Sequence, residues 1–127
     1  MFAYIDKTDK YGITHRNYFL TQGDSFTLTA SDEGKGLIKD IVFKLGRIGD
    51  NEYDIDEFYR HHYTLADDGV WYLFVETEDT VGFEVTGDNE PYIYEIEVKY
   101  IDDAIETVSQ ANFTVWKQMN KEGEDGE

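Results

Sequence analysis

Between Tyr92 and Trp116 apolar and polar side chains alternate with a period of two. Tyr92, Tyr94, Ile96, Val98 and Tyr100 fall on one face of an extended segment, and Glu95, Glu97 and Lys99 on the other. That is the pattern of a strand with a core on one side and water on the other. Asp102 and Asp103, residue types that tolerate tight-turn dihedrals, follow, and the chain returns through Ile105 to a run in which Phe113 and Val115 share a face. Ser109, Gln110, Ala111 and Asn112 lie between and read as a bulge or tight bend. The stretch predicts a long β-hairpin.

The same periodicity, weaker and shorter, recurs upstream. Gly23 and Asp24 mark a turn into Phe26, Leu28 and Ala30, which alternate with Thr27 and Thr29, and SDEGKG from Ser31 to Gly36 is a loop by its turn residues. Ile41, Phe43 and Leu45 form one face of a strand with Asp40 and Lys44 opposite; Val42 breaks the alternation, which predicts a central strand partly covered on both faces. After Asp67, Asp68 and Gly69 the run Val70–Val75 is wholly apolar and predicts a strand buried on both faces. Pro91, the only proline, stands at the start of the hairpin, where a strand accepts a residue without an N–H. Counting these runs gives about seven or eight short strands and no convincing amphipathic helix, so the expected fold is an all-β, Ig-like antiparallel β-sandwich. Trp71, Phe43, Ile96 and Phe113 are its expected core.

The divisions along the chain follow. Residues 1–17 have mixed polarity and no sustained period, and are expected to form an N-terminal arm or edge strand. Residues 18–117 make the sandwich, and residues 118–127, charged and without period, are expected to be a disordered acidic tail.

Composition narrows the classes. The 127 residues are one domain by length, large enough to bury a core of their own. With no cysteine, disulfide scaffolds, thiolate metal sites and a cysteine nucleophile are excluded. Asp6 and Lys7 interrupt the N-terminus before any apolar run could serve as a signal peptide, and no later run approaches a membrane span, so synthesis and folding in a cytoplasm are expected. The 28 acidic residues against 11 basic ones give a formal charge of -17. Such a surface repels phosphate backbones and anionic lipid, so neither nucleic acid nor membrane is an expected partner, and self-association in isolation is expected to be weak or absent.

Candidate chemistry is sparse. Asp50, Glu52, Asp54 and Asp56 recur every second residue, so on an extended segment their carboxylates would point the same way and suit a hard cation such as calcium. The run lacks the glycine and the closing glutamate of an EF-hand loop, and a solvated loop or hairpin tip is the competing reading. His61 and His62 are adjacent and would point to opposite sides of a strand, so they cannot share a metal. No Gly-x-Ser-x-Gly elbow, phosphate-binding glycine loop or His-Glu-x-x-His is present. No cofactor is expected. Tyrosine is abundant, with ten residues, and tyrosines outside a core serve as contact residues because one end is apolar and the other hydrogen-bonds. Tyr4, Tyr11 and Tyr59 are the candidates for such contacts.

The aromatic strand YIYEIEV, the acidic turn, the Glu-Thr-Val return and the closing FTV resemble the end of small β-sandwich domains in tailed-phage structural proteins, in particular the N-terminal domain of phage baseplate upper proteins and related tail or head fibre proteins. QGDSFTLTA at Gln22–Ala30 is similar to that family's opening strand, IKDIVFKLG at Ile38–Gly46 to its second, and ETEDTVGFEV to the segment that crosses between sheets. The likeness covers roughly Tyr18 to Lys117. Ala104 stands where the family turn carries glycine, and Gln110–Asn112 replace the glycine before the last strand. The resemblance implies a non-enzymatic structural or assembly protein of a phage or prophage virion (tail, baseplate or head fibre), made in the bacterial host cytoplasm and partnered by other phage structural proteins. A carbohydrate-binding β-sandwich module, in which tyrosine and tryptophan stack on sugar rings, is the alternative reading.

Overall fold

A computed structural model describes residues 1–32, 35–49 and 55–118. Nine strands and one helical turn follow in order: β1 (Phe2–Thr8), β2 (Thr14–Thr21), β3 (Phe26–Ala30), β4 (Ile38–Ile48), β5 (Ile55–His62), β6 (Thr64–Leu65), β7 (Trp71–Val75), α1 (Thr77–Thr80), β8 (Asn89–Tyr100) and β9 (Ile105–Trp116). They build a six-stranded sheet in the order β1-β2-β9-β8-β4-β5 and a three-stranded sheet in the order β3-β7-β6. The two pack as a sandwich-like all-β fold. Every ladder is antiparallel except β2 with β9, where Tyr18–Thr21 run parallel to Phe113–Trp116.

The alternation read in the sequence sets which side chains enter the core. On β4, Ile41, Phe43 and Leu45 are fully buried, and on β8 and β9 Tyr92, Tyr94, Val98, Phe113 and Val115 join them. Phe26, Leu28, Trp71, Leu73 and Val75 meet them from the smaller sheet. The core is aromatic at its centre: Phe113 lies 5.5 Å from Phe26, 5.8 Å from Phe43 and 6.4 Å from Tyr94, ring to ring. Val42 is buried too, on the opposite face of a strand held between β8 and β5, as its break in the alternation predicts.

Four details depart from the expectation. Ile96 is only partly buried and packs at the margin of the core. The irregularity in β9 is not at Ser109–Asn112, which continue in register with β8; Ile96 faces Ser109 and Glu97 faces Thr107, so Val108 is the extra residue of a bulge. β7 is buried on one face only, because nothing described lies over the outer side of the three-stranded sheet, and Tyr72 and Phe74 stand in solvent there. The first seventeen residues form the edge strand β1 and the first half of β2, which pairs with β1 along seven positions, so a boundary after Asn17 falls inside a strand. The acidic tail expected at 118–127 lies, beyond Gln118, outside the described residues.

The hairpin turn works without glycine. Tyr100 N–H donates to Ala104 O at 2.9 Å, Asp103 N–H to Tyr100 O at 2.9 Å, and the Asp102 carboxylate accepts from Ala104 N–H at 3.0 Å. Asp103 takes φ of 70°, a left-handed conformation that aspartate tolerates better than most side chains. The crossing from β7 to β8 passes through α1, and Gln22 pins it to the β2–β3 turn by donating to Val81 O at 3.1 Å and Phe83 O at 2.9 Å.

Candidate functional surfaces

Of the alternating carboxylates, Asp50, Glu52 and Asp54 lie outside the described residues. Asp56 is exposed and sits opposite Arg47 in the β4–β5 ladder. Among the described residues no group of three or more His, Asp or Glu side chains could hold a metal ion, and no helix is long and apolar enough to cross a membrane. His61 and His62 diverge as adjacent strand residues must: His61 Nδ1 meets the main-chain oxygen of His62 at 2.9 Å, whereas His62 Nδ1 meets the Asp40 carboxylate at 2.8 Å.

The three candidate tyrosines have different fates. Tyr11, at the β1–β2 turn, is 77% exposed. Tyr4 is half exposed, with its ring edge against Tyr18 and the Arg16 guanidinium 3.8 Å from its centroid. Arg16 in turn grips the Asp6 carboxylate through Nε at 2.8 Å and a second nitrogen at 3.0 Å, which holds the Asp6 carboxyl below its ordinary pKa. Tyr59 is not a free contact residue. It packs on the core against Phe83 and donates its hydroxyl to Asp79 at 2.8 Å, and burial, then that hydrogen bond, push its ionisation upward.

Two further surfaces escaped the sequence. On the outer face of the smaller sheet, Tyr72 and Phe74 stand side by side, opposite the exposed Thr29 and Thr27 of β3. Asp68 fixes the first ring by accepting the Tyr72 hydroxyl at 2.8 Å. The result is a small aromatic platform with hydroxyls beside it. An all-apolar run hides such a platform, yet the Thr-x-Thr alternation of the partner strand was its signal.

The second surface is a shallow depression of about 320 Å³ on the outer face of the larger sheet. It is lined by the apolar Gly46, Ile55 and Ile93 and by the polar Lys44, Glu57, Glu95 and Gln110. Lys44 Nζ lies 3.1 Å from Glu97 and 3.9 Å from Glu95, and Gln110 donates to Glu95 at 3.1 Å. Glu57 is held by Arg60 at 2.7 Å, so each charge lining the depression already has a partner.

No protein-family model matches the chain, and a search of curated proteins finds no match.

Proposed function

We propose that the chain acts by protein–protein contact, as a non-enzymatic structural or assembly component of a tailed-phage or prophage virion, made in the bacterial host cytoplasm and joined to other phage structural proteins in tail, baseplate or head fibre. The resemblance of the hairpin and opening strands to phage β-sandwich domains supports the class. The strand order supports the finer, Ig-like reading of the fold: β9-β8-β4-β5 over β3-β7-β6 has the order of the strands G-F-C-C′ over B-E-D in an Ig variable-type sandwich. Tyr92 fits that reading as well, since it stands at the start of β8 and sends its hydroxyl back to Glu84 O across the inter-sheet corner. Fold alone assigns no role.

The observation that carries the contact reading is the Tyr72–Phe74 pair, exposed on a sheet face with the Tyr72 hydroxyl held by Asp68. Aromatic residues with a polar tip are the usual anchors of protein interfaces. Purified products of the neighbouring genes, presented to the chain one at a time, test this. Capture by a virion protein, lost in Tyr72→Ser and Phe74→Ser variants that keep their β-sheet spectrum, is the expected result. The same pair beside Thr27 and Thr29 also favours the alternative, a carbohydrate-binding module, because sugar rings stack on aromatic faces and hydrogen-bond to hydroxyls. A chain that ignores every neighbouring product but binds a glycan array through Tyr72 and Phe74 overturns the structural reading in favour of that one.

A further inference from the structure

β1 closes one side of the larger sheet, and among the described residues it pairs with β2 alone. One hydrogen bond fixes which of its main-chain groups are already used. Thr21 N–H donates to Met1 O at 2.8 Å, so Met1 and Thr21 are a hydrogen-bonded pair in a ladder where such pairs alternate with non-hydrogen-bonded ones. Carried along the register, Ala3, Ile5 and Lys7 turn their amides and carbonyls toward Phe19, Asn17 and His15. Phe2, Tyr4, Asp6 and Thr8 turn theirs out of the sheet.

Sheet edges are commonly blunted by brevity, proline, a bulge or charged side chains. β1 is seven residues long, keeps register with β2 without a shift and contains no proline; its two charges, Asp6 and Lys7, are of opposite sign, and Arg16 already pairs the first. The opposite edge, β5, is interrupted by an irregularity at Leu45/Gly46, and the edges of the smaller sheet are shorter, at five residues in β3 and two in β6.

Charge selects the occupant. The β1–β2 hairpin, Met1–Thr21, holds Lys7, Lys10 and Arg16 against Asp6 and Asp9, while all but two of the 28 acidic side chains lie elsewhere. A second acidic copy is repelled by most of this molecule, yet meets no excess of like charge at the hairpin.

We propose that β1 is a self-association edge, at which two copies pair β1 with β1, antiparallel, into one continuous sheet. The outward-facing residues must oppose one another, and the register that engages the whole strand puts the two-fold axis at Ile5. Phe2 then faces Thr8 of the second copy, Tyr4 faces Asp6, and Lys7 faces Ala3, so no like charges stand directly opposed. Shifting the axis to Asp6 would set two carboxylates against each other. The formal charge of -17 per copy still opposes approach at long range, so pairing strengthens as salt screens it. This inference stands on strand geometry and charge distribution and is independent of the phage reading.

Sedimentation equilibrium of the full chain, over a wide concentration range at low and high salt, tests it. The expected result is a monomer–dimer equilibrium that shifts toward dimer with salt. Tyr4→Pro deletes an amide that points out of the sheet and spares those bonded to β2, so it should give a monomer with an unchanged β-sheet spectrum. Tyr4→Ala loses the ring but keeps the amide, and should still dimerise. Ile5→Lys, at an exposed position on the axis, sets two ammonium groups face to face and should also give a folded monomer. A wild-type chain that stays monomeric at high salt overturns the proposal. So does a dimer that survives in either folded variant, Tyr4→Pro or Ile5→Lys.

Discussion

The Tyr94 hydroxyl, on a fully buried side chain of β8, reaches past β9 and donates to the main-chain oxygen of Arg16 on β2 at 2.6 Å, with Ser109 Oγ 2.9 Å away. It closes the fork where β2 and β9 part. Their parallel ladder runs only from Tyr18 with Phe113 to Thr21 with Trp116, and just before it the Asn17 side chain takes the Asn112 N–H at 3.1 Å in place of a backbone partner. Beyond the core packing of Phe2, Tyr18 and Leu20, the hairpin's hydrogen bonds to β8 and β9 are thus one short ladder and those of two side chains. Tyr94→Phe keeps the packing and leaves a carbonyl short of a donor, so it should cost about 1 to 3 kcal/mol in denaturant titration. It should also speed hydrogen exchange in β1 and β2 more than in β4. Uniform exchange across both sheets would show that the hydroxyl does not anchor the hairpin.

Phe113 is the meeting point of the aromatic core, with Phe2, Tyr18, Phe26, Phe43 and Tyr94 around its ring. Phe113→Ala should cost about 3 to 5 kcal/mol, the range for emptying a large aromatic site. That is a large share of the stability of a domain this size. Ile96→Ala, at the margin of the core, should cost less in the same assay. Equal losses at both positions would mean the core is centred elsewhere.

Gly46 is required by approach. A Cβ built there would meet Asp56 O and Ile55 Cγ2, each at 2.7 Å, because β5 crosses close to β4 at the irregularity after Leu45. Gly46→Ala should therefore destabilise by about 1 to 3 kcal/mol, as overpacking does. Gly87→Ala meets nothing within 4 Å and serves as the neutral comparison. Equal melting temperatures for the two variants would refute the close contact.

How much of this was legible depends on where each residue sits. The β8–β9 hairpin was readable because Tyr92, Tyr94 and Val98 are buried while Glu95 and Glu97, on the other face, are only partly so, and that difference prints its period on the sequence. Pro91 was placed correctly near the strand's start for a geometric reason. Lys117 N–H donates to Asp88 O, which by alternation turns the Pro91 nitrogen away from β9, and pairing with β4 begins only at Ile93. β1 was ambiguous because an edge strand exposed on both faces has no burial period to print. β5 was not singled out as a strand, since most of its side chains are exposed and print no burial period. The Tyr72–Phe74 platform was hidden in its own strand for the opposite reason: six apolar residues in a row look doubly buried, and only the alternation of the partner β3 betrays the face that nothing described covers.

The Asp50, Glu52, Asp54 and Asp56 run makes a separate prediction. If these carboxylates are solvated, calcium and magnesium at equal ionic strength should raise the melting temperature alike, by screening the acidic excess. A calcium-specific shift, absent in Asp56→Asn, would make the run a metal site.

The last prediction concerns alkaline pH. Burial is the largest cause holding the Tyr18, Tyr59, Tyr63, Tyr92 and Tyr94 hydroxyls above the ordinary tyrosine pKa. That ordinary value, about 10, applies once the chain unfolds. Above it the unfolded chain releases protons that the folded chain keeps, so stability is intact below about pH 10 and falls as pH rises beyond it. Tyrosinate absorbance followed with far-ultraviolet circular dichroism should give two waves among the ten tyrosines. The first should leave the β spectrum unchanged, and the second should coincide with its loss. Tyr63→Phe removes one buried hydroxyl, and should move that second wave to higher pH. Complete ionisation in a single wave, with the sheet signal intact, would show that these hydroxyls reach solvent in the folded chain.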